Sequence, residues 1–275
     1  MIKPGEIDKT AIEKGVRAKQ IEKDYVISWV LWGIAKNEFL NNNLVFKGGT
    51  CLKKMHFNDY RYSEDIDFTL RDDNVSDTEI LENFRSLFEK VYEVSRIKAE
   101  IIEDSIDNHK VSGSLKFKMS YVATHGTDEI KVDVSRGETI EFDVQHRAVF
   151  NNYSDLEEED ETRIHCYSLE EILIEKTTAL MGRTIPRDLY DFNYLIEEEG
   201  IELQDIYIEF MRKAENKGHN PKEFMDKLMP KMKTFARDWY ISLGKQMTEG
   251  ELPEFKNLWR KSSGNFKELL KLLNN

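Results

Sequence analysis

The chain has 275 residues, of which 40 are Lys or Arg and 52 are Asp or Glu, so its formal net charge at pH 7 is −12. Hydrophobic residues make up 40% of it and aromatic residues 11%, a composition that excludes wholesale disorder and allows one large domain or two modest ones. The longest apolar stretch, residues 25–35, is too short to cross a bilayer, and the first residues lack the pattern of a signal peptide. We therefore expect a cytoplasmic protein with no membrane partner.

The order of periodic segments predicts two parts of different character. Residues 7–34 carry apolar side chains near a 3.6-residue period, which predicts helices. Further along the chain, strands are predicted at residues 44–46 and 66–70, an amphipathic helix at 79–94, and a mainly antiparallel meander at 96–106, 113–123 and 129–135. From Ser168 to the end the pattern is helical.

An acidic run separates these two parts. Residues 155–161 hold six acidic side chains in seven positions, which predicts a solvated linker. We therefore expect an α+β fold in which residues 1–165 form a mixed sheet flanked by helices. Residues 166–275 are expected to form a helical C-terminal domain.

A glycine-rich turn follows the first predicted strand. Gly48, Gly49 and Thr50 stand between that strand and a short helical segment. Such a turn offers backbone N–H groups, a helix N-terminus and a hydroxyl, all of which favour a phosphate group. A Gly-Gly pair alone more often marks a plain turn, so the motif gains its weight from the segment that follows it.

Two aspartates alternate on the second predicted strand. Asp65 and Asp67 should project from one face of the sheet, while Ile66 and Phe68 pack into the core. Carboxylates held side by side repel each other unless a cation lies between them, and oxygen ligands of this kind suit Mg²⁺ or Mn²⁺. The glycine turn and the carboxylate pair together predict a site for a phosphate and its metal.

This order of strand, Gly-Gly-hydroxyl turn, helix and Asp-x-Asp strand resembles the nucleotidyltransferase superfamily that includes the polymerase-beta-like enzymes. The resemblance implies a third metal-binding carboxylate on a neighbouring strand, and Asp133 within residues 130–134 fits that place. The alternative for Asp133 is a charge on the exposed face of an edge strand. Arg61 could meet a triphosphate and Ser63 could bond Asp65, the alternatives being an exposed loop arginine and a strand cap.

The helical part narrows the resemblance. Residues 171–180 and 187–192 resemble the third and fourth motifs of the AbiEii/AbiGii-type nucleotidyltransferase toxins, and the segments around Gly48 and Asp65 resemble the first two. The match extends over about residues 25–200.

That family implies roles for two residues of the helical part, which would contribute them to the cleft. Lys176 would contact the nucleotide phosphates or stabilise the leaving pyrophosphate. Asp191 would orient this lysine or help to deprotonate the attacking hydroxyl. Asp188 lies three positions away on nearly the same side of the helix, so either carboxylate could face the cleft, and we favour Asp191.

The resemblance also implies an NTP substrate, a cognate antitoxin, and a place in a toxin–antitoxin or phage-defence pair, with RNA as the acceptor and the tRNA 3′ end as a candidate. Residues 210–275 add support, since 14 basic and 8 acidic side chains give them a net charge of +6. The closely spaced basic residues are Lys222, Lys227, Lys231, Lys233 and Arg237. A solvated helical face is the alternative reading of this charge.

Two other functions stay open at this point. The same chemistry could act on a small molecule or a protein, because antibiotic-modifying nucleotidyltransferases share the first two motifs. A nucleotide-binding module without turnover is the other alternative. Finally, Cys51 and Cys166 lie far apart along the chain and the histidines show no ligand spacing, so no disulfide or zinc site is predicted.

Overall fold

The structure is a computed structural model that describes residues 1–108, 113–156, 161–248 and 250–274. These residues fall into two units. The first consists of Met1–Glu138 and Val144–Tyr167, and the second of Thr139–Asp143 and Ser168–Asn275.

A mixed β-sheet lies at the centre of the first unit. Its strands are β1 (Leu44–Lys47), β2 (Asp65–Leu70), β3 (Lys98–Ile101), β4 (Asp107–Asn108), β5 (Leu115–Ala123), β6 (Gly126–Ser135), β7 (Gln145–Ala148) and β8 (Arg163–Cys166). The spatial order is β3-β5-β6-β2-β1-β8-β7, with β4 paired to β5. β2 is parallel to β6 and β1 is parallel to β8, whereas the other pairs are antiparallel. β2 therefore lies in the interior of the sheet, between β1 and β6.

Helices precede and connect these strands. They are α1 (Pro4–Lys14), α2 (Ala18–Lys36), α3 (Glu38–Asn43), α4 (Gly48–Cys51) and α5 (Asp77–Ser95). α2 is buried along most of its length, since the consecutive residues 29–32 are all buried and together they cover every face of the helix. α5 begins with a capping box between Ser76 and Glu79, which satisfies the first backbone N–H groups of the helix.

The helical segment after β1 does not continue as a regular α-helix. Residues Leu52–His56 form one turn of π-helix, in which the N–H of Phe57 donates to the carbonyl of Leu52 at 2.8 Å. A π turn is wider than an α turn and changes which side chains share a face.

The second unit is helical. Its helices are α6 (Leu169–Gly182), α7 (Pro186–Glu197), α8 (Tyr207–Asn216), α9 (Phe224–Leu228), α10 (Met232–Leu243) and α11 (Phe255–Asn274). Aromatic side chains from four of these helices pack together in its core: Phe192, Phe210, Phe224, Trp259 and Phe266.

A short segment from the middle of the chain belongs to this helical unit. The backbone N–H groups of Glu141 and Phe142 donate to Oε2 of Glu171 in α6, at 2.8 and 2.9 Å. The buried Lys213 of α8 pairs with the other carboxylate oxygen of Glu171 and donates to the carbonyl of Thr139 at 2.9 Å. Residues 139–143 are thus fixed to the first turn of α6.

The structure confirms the expected α+β class, with a mixed sheet, flanking helices and a helical C-terminal region. β7 and β8 are missing from the sequence prediction, because each has four residues and β7 offers no large apolar side chain to alternate. Residues 157–160 of the acidic run lie outside the described residues, so the predicted linker is not tested there. Within the ranges that the structure describes, no helix is long and apolar enough to cross a membrane.

Candidate functional site

Three carboxylates lie on one face at the centre of the sheet. Asp65 and Asp67 alternate along β2 with Ile66 and Phe68, whose side chains are buried, as the sequence predicts. Asp67 is paired in register with Asp133 across the parallel strands β2 and β6. Paired residues of adjacent strands point to the same face, so all three carboxylates share it.

Asp133 occupies an interior strand. β6 lies between β5 and β2, which rules out the alternative that this residue decorates an edge strand. Its Oδ2 atom pairs with Lys116 of β5 at 2.9 Å. Its Oδ1 atom is buried and makes no hydrogen bond among the described residues. A buried carboxylate oxygen without a donor is costly, and a bound cation would satisfy it.

The glycine turn packs directly against Asp67. Gly48 has φ +79°, a conformation that favours glycine, and a Cβ atom at this position would lie 2.6 Å from Oδ2 of Asp67. The hydroxyl of Thr50 donates to the backbone carbonyl of Asp65 at the start of β2. The turn and the carboxylate strand therefore form one assembly.

Arg61 is buried beside this turn. Its side chain is only 4% exposed, so the exposed loop arginine considered from the sequence is wrong. Nη2 of Arg61 lies 2.5 Å from the place where a Cβ of Gly49 would be, and its Nη1 donates to the carbonyl of Tyr62 at 3.4 Å. Ser63 is buried as well, at 6% exposure. The structure thus brings both residues to the loop that leads into β2.

Next to the carboxylates lies an ion pair that sequence reasoning missed. Lys47 is the register partner of Asp67 on β1, and its Nζ lies 2.6 Å from Oε2 of Glu138. The same oxygen accepts from the hydroxyl of Thr69 at 3.2 Å, and Tyr167 donates to it at 3.4 Å. Both charged side chains are more than nine-tenths buried. Because Lys47 and Glu138 are 91 positions apart, no local pattern could have found the pair.

In the second unit, Lys176 is held by two carboxylates. Its Nζ lies 3.0 Å from Oδ1 of Asp188 and 2.9 Å from Oδ2 of Asp191. Asp188 also binds Arg183, whose Nε and Nη2 donate at 2.7 and 3.0 Å. Two cations and two anions thus balance one another within this cluster. Sequence patterns did not identify Arg183. The signal that the sequence offers for it is its place shortly before Asp188.

Burial and charge act in opposite directions on Asp188. Desolvation favours its neutral form, but Lys176 and Arg183 outweigh that effect and hold the pKa of Asp188 below its usual range. Asp188 is therefore ionised at neutral pH. Both carboxylates contact the lysine, so the sequence-based preference for Asp191 over Asp188 remains a prediction.

A family model described as "Nucleotidyl transferase AbiEii toxin, Type IV TA system" matches residues 29–261. The chain belongs to this AbiEii family. It is a nucleotidyltransferase, as the motifs around Gly48, Asp65, Lys176 and Asp191 led us to expect. The family's membership of a type IV toxin–antitoxin system implies an NTP substrate and an antitoxin partner for this AbiEii chain.

Two solved structures share the fold of this AbiEii-family chain. MenT4, a nucleotidyltransferase toxin from Mycobacterium tuberculosis H37Rv, matches with a TM-score of 0.66 and 16% identity, over 100% of this chain and 90% of that one. JHP933 from Helicobacter pylori matches with a TM-score of 0.56 and 16% identity, over 94% of this chain and 95% of that one. No curated protein sequence is significantly similar to the chain.

Proposed function

We propose that this AbiEii-family chain transfers a nucleoside monophosphate from an NTP to a hydroxyl of RNA, with the tRNA 3′ end as the leading candidate, in a reaction that depends on a divalent metal. We further propose that it acts as the toxin of a pair that serves phage defence. The observation that carries the chemistry is the register of Asp67 with Asp133 beside Asp65, together with the buried Oδ1 of Asp133, which has no hydrogen-bond partner in the part of the chain that the structure describes.

The carboxylates fit a hard divalent cation. Asp65, Asp67 and Asp133 would hold Mg²⁺ or Mn²⁺, because both ions prefer oxygen ligands. When bound there, the metal neutralises charge on the triphosphate. Gly48, Gly49 and Thr50 would present their backbone to the phosphates. Arg61, which lies beside Gly49, would meet the triphosphate, and Ser63 would bond Asp65.

In the proposed reaction, the acceptor oxygen forms a bond with the α-phosphorus of the NTP, and the hydroxyl proton passes to solvent. The bond between that phosphorus and the bridging oxygen breaks, and pyrophosphate leaves with both bonding electrons. We assign Lys176 to stabilising the phosphate charge. The 2.9 Å contact between Lys176 and Asp191 supports an orienting role for Asp191, and acceptance of the hydroxyl proton is the alternative role.

Basic residues of the second unit support RNA as the acceptor, but fewer of them are available than the sequence indicates. Lys231 donates to the carbonyls of Leu180 and Met181, both at 2.8 Å, and Arg237 pairs with Asp238 at 2.7 Å. Lys222 and Lys233 are exposed and remain the best candidates for phosphate contacts.

The test is to incubate the purified chain with Mg²⁺, each α-labelled NTP in turn and total bacterial RNA, and to separate the products by size. We expect label in a tRNA-sized band. Asp65→Asn should abolish that label, whereas Glu64→Gln removes the neighbouring carboxylate, which pairs with Lys23 at 3.6 Å, and should leave it intact.

The outcomes separate the alternatives. Label in protein or in the small-molecule fraction would keep the chemistry and reject RNA as the acceptor. NTP binding without pyrophosphate release would contradict turnover and favour a binding module. Equal labelling by Asp65→Asn and the wild type would reject the carboxylate site itself.

A further inference from the structure

Two cysteines and a histidine come together close to the end of the glycine turn. Cys51 ends α4, His56 ends the π turn and Cys166 ends β8. One ligand atom from each of the three lies within 4.8 Å of the other two. Both cysteines are fully buried and neither forms a disulfide, while His56 is partly buried.

The fold explains why the sequence conceals this cluster. Cys166 lies beside β1 because β8 runs parallel to it, with Phe46 and Cys166 in register. Cys51 and His56 are five positions apart, a spacing that puts side chains on different faces of an α-helix. The i→i+5 geometry of the π turn widens the helix here and brings them together. Separation along the chain therefore does not reveal that the two cysteines and His56 lie together.

The histidine ring is oriented by a backbone carbonyl. Nε2 of His56 lies 3.0 Å from the backbone carbonyl of Tyr167. A carbonyl oxygen only accepts hydrogen bonds, so Nε2 carries the proton and donates it. In the neutral ring, Nδ1 is then the nitrogen whose lone pair can bind a metal. A metal-binding histidine is commonly oriented in this way, by a backbone carbonyl that accepts from its other ring nitrogen.

We propose that Cys51, His56 and Cys166 form a second metal site, which binds a thiophilic cation of the Zn²⁺ type. Two sulfur ligands and one imidazole suit Zn²⁺, whereas the oxygen ligands of Asp65, Asp67 and Asp133 suit Mg²⁺. On binding, two S–H bonds break, two metal–sulfur bonds form and two protons are released to solvent. With three protein ligands, such an ion would take its fourth ligand from water.

A metal at this site would join the glycine turn to the sheet. Cys51 follows Thr50 directly, and Cys166 belongs to the strand next to β1. The ion would therefore tie the end of α4 to the strand beside β1. Such a site requires neither the proposed acceptor nor turnover.

The test uses the full chain, reduced and stripped of metal with a chelator, in excess Mg²⁺ to occupy the carboxylates. Zn²⁺ is titrated against a chromophoric competitor, and Co²⁺ is added in parallel because thiolate ligation gives it a charge-transfer band in the near ultraviolet. We expect one ion per chain, the cobalt–thiolate band, and a rise in melting temperature on Zn²⁺ addition. Cys51→Ser, Cys166→Ser and His56→Asn should each weaken binding by more than about 100-fold.

Controls separate ligation from folding. His125→Asn changes a histidine of the same unit, whose ring lies 3.4 Å from Asp8, and should bind Zn²⁺ like the wild type. In case a buried-cysteine variant fails to fold, the wild type alone gives an answer, since Zn²⁺ should slow alkylation of both thiols.

Three results would overturn the site. They are no saturable Zn²⁺ uptake by the reduced wild type, uptake that the Cys51→Ser and His56→Asn variants retain in full, and Co²⁺ binding without a thiolate band.

Discussion

Asp67 and Asp133 are register partners on two parallel strands, and Oδ1 of Asp133 is buried without a hydrogen bond among the described residues. The same strand provides a matched comparison. Glu129 lies on the same face of β6, and its carboxylate pairs with Lys118 of β5 at 2.9 Å, just as Asp133 pairs with Lys116 at 2.9 Å. Asp133 has Asp67 beside it on β2, whereas Glu129 does not.

The first prediction compares Asp133 with Glu129. Asp133→Asn should raise the Mg²⁺ concentration for half-maximal nucleotidyl transfer by at least about tenfold, because a neutral amide is a poor ligand for a hard cation. Glu129→Gln should leave it unchanged. The measurement is a magnesium titration of the initial rate for both variants. Equal responses from the two would argue against Asp133 as a metal ligand.

The second prediction concerns the glycine turn. In Gly48→Ala the new Cβ would displace the carboxylate of Asp67, and we expect transfer to fall by about 100-fold or more. The positive φ adds a backbone strain of about 1–2 kcal/mol. Gly200→Ala carries the same kind of strain at φ +71°, with nothing within 4 Å of its Cβ, and should lose stability alone. Urea unfolding and transfer rates of both variants separate strain from displacement.

The third prediction is a pH dependence that comes from Asp188. Its pKa is lower in the folded chain than in the unfolded one, so the unfolded chain binds more protons when the pH lies between the two values. The stability that Asp188 contributes is therefore complete above about pH 4 and is lost as the pH falls from there towards the folded pKa. Chemical unfolding between pH 3 and pH 7, roughly spanning that window, should show a steeper acid decline in the wild type than in Asp188→Asn.

At neutral pH, Asp188→Asn should lower the free energy of unfolding by about 2–3 kcal/mol, because charge-assisted bonds to Lys176 and Arg183 are lost. Asp191 still compensates Lys176, which keeps the loss below that of a wholly unpaired buried charge. If the free energy of unfolding of Asp188→Asn falls with pH in parallel with that of the wild type, Asp188 is not the titrating group.

The fourth prediction separates two lysines of the basic region. Nζ of Lys231 donates to carbonyls at the C-terminal end of α6, so Lys231→Gln should lower the free energy of unfolding by about 1–2 kcal/mol. Lys233 is exposed, so Lys233→Gln should leave the free energy of unfolding unchanged. If Lys233 contacts RNA, that variant should reduce the slope of log affinity against log salt by about 1. Thermal unfolding and salt-dependent filter binding test both claims.

Local sequence patterns predicted the part of the site that lies on contiguous segments. The alternation of Asp65 and Asp67 with Ile66 and Phe68 fixes which side chains face the core, and the structure agrees. The relation of Asp67 to Asp133 needed the family resemblance, because strand order is not encoded in either strand. The roles of Lys176 and Asp191 still rest on that resemblance.

What the sequence could not predict depends on pairing between distant segments or on irregular backbone. Lys47 and Glu138 meet because β1 and β6 lie on either side of β2 in the sheet, and Glu138 follows the end of β6. Cys51 and His56 share a face because one helical turn is of the π type. Neither relationship leaves a periodic trace in the amino-acid order.

Residues 139–143 belong to the helical unit but are separated from the rest of it along the chain, so a single cut cannot isolate that unit. Burial raises the pKa of Glu171, and Lys213 together with the N–H groups of Phe142 and Glu141 opposes that rise. A fragment that starts at Ser168 would lack both N–H donors. A separate peptide with the sequence of residues 139–143 could supply these two donors to Glu171. Restored folding on addition of such a peptide would make the helical unit a two-piece assembly.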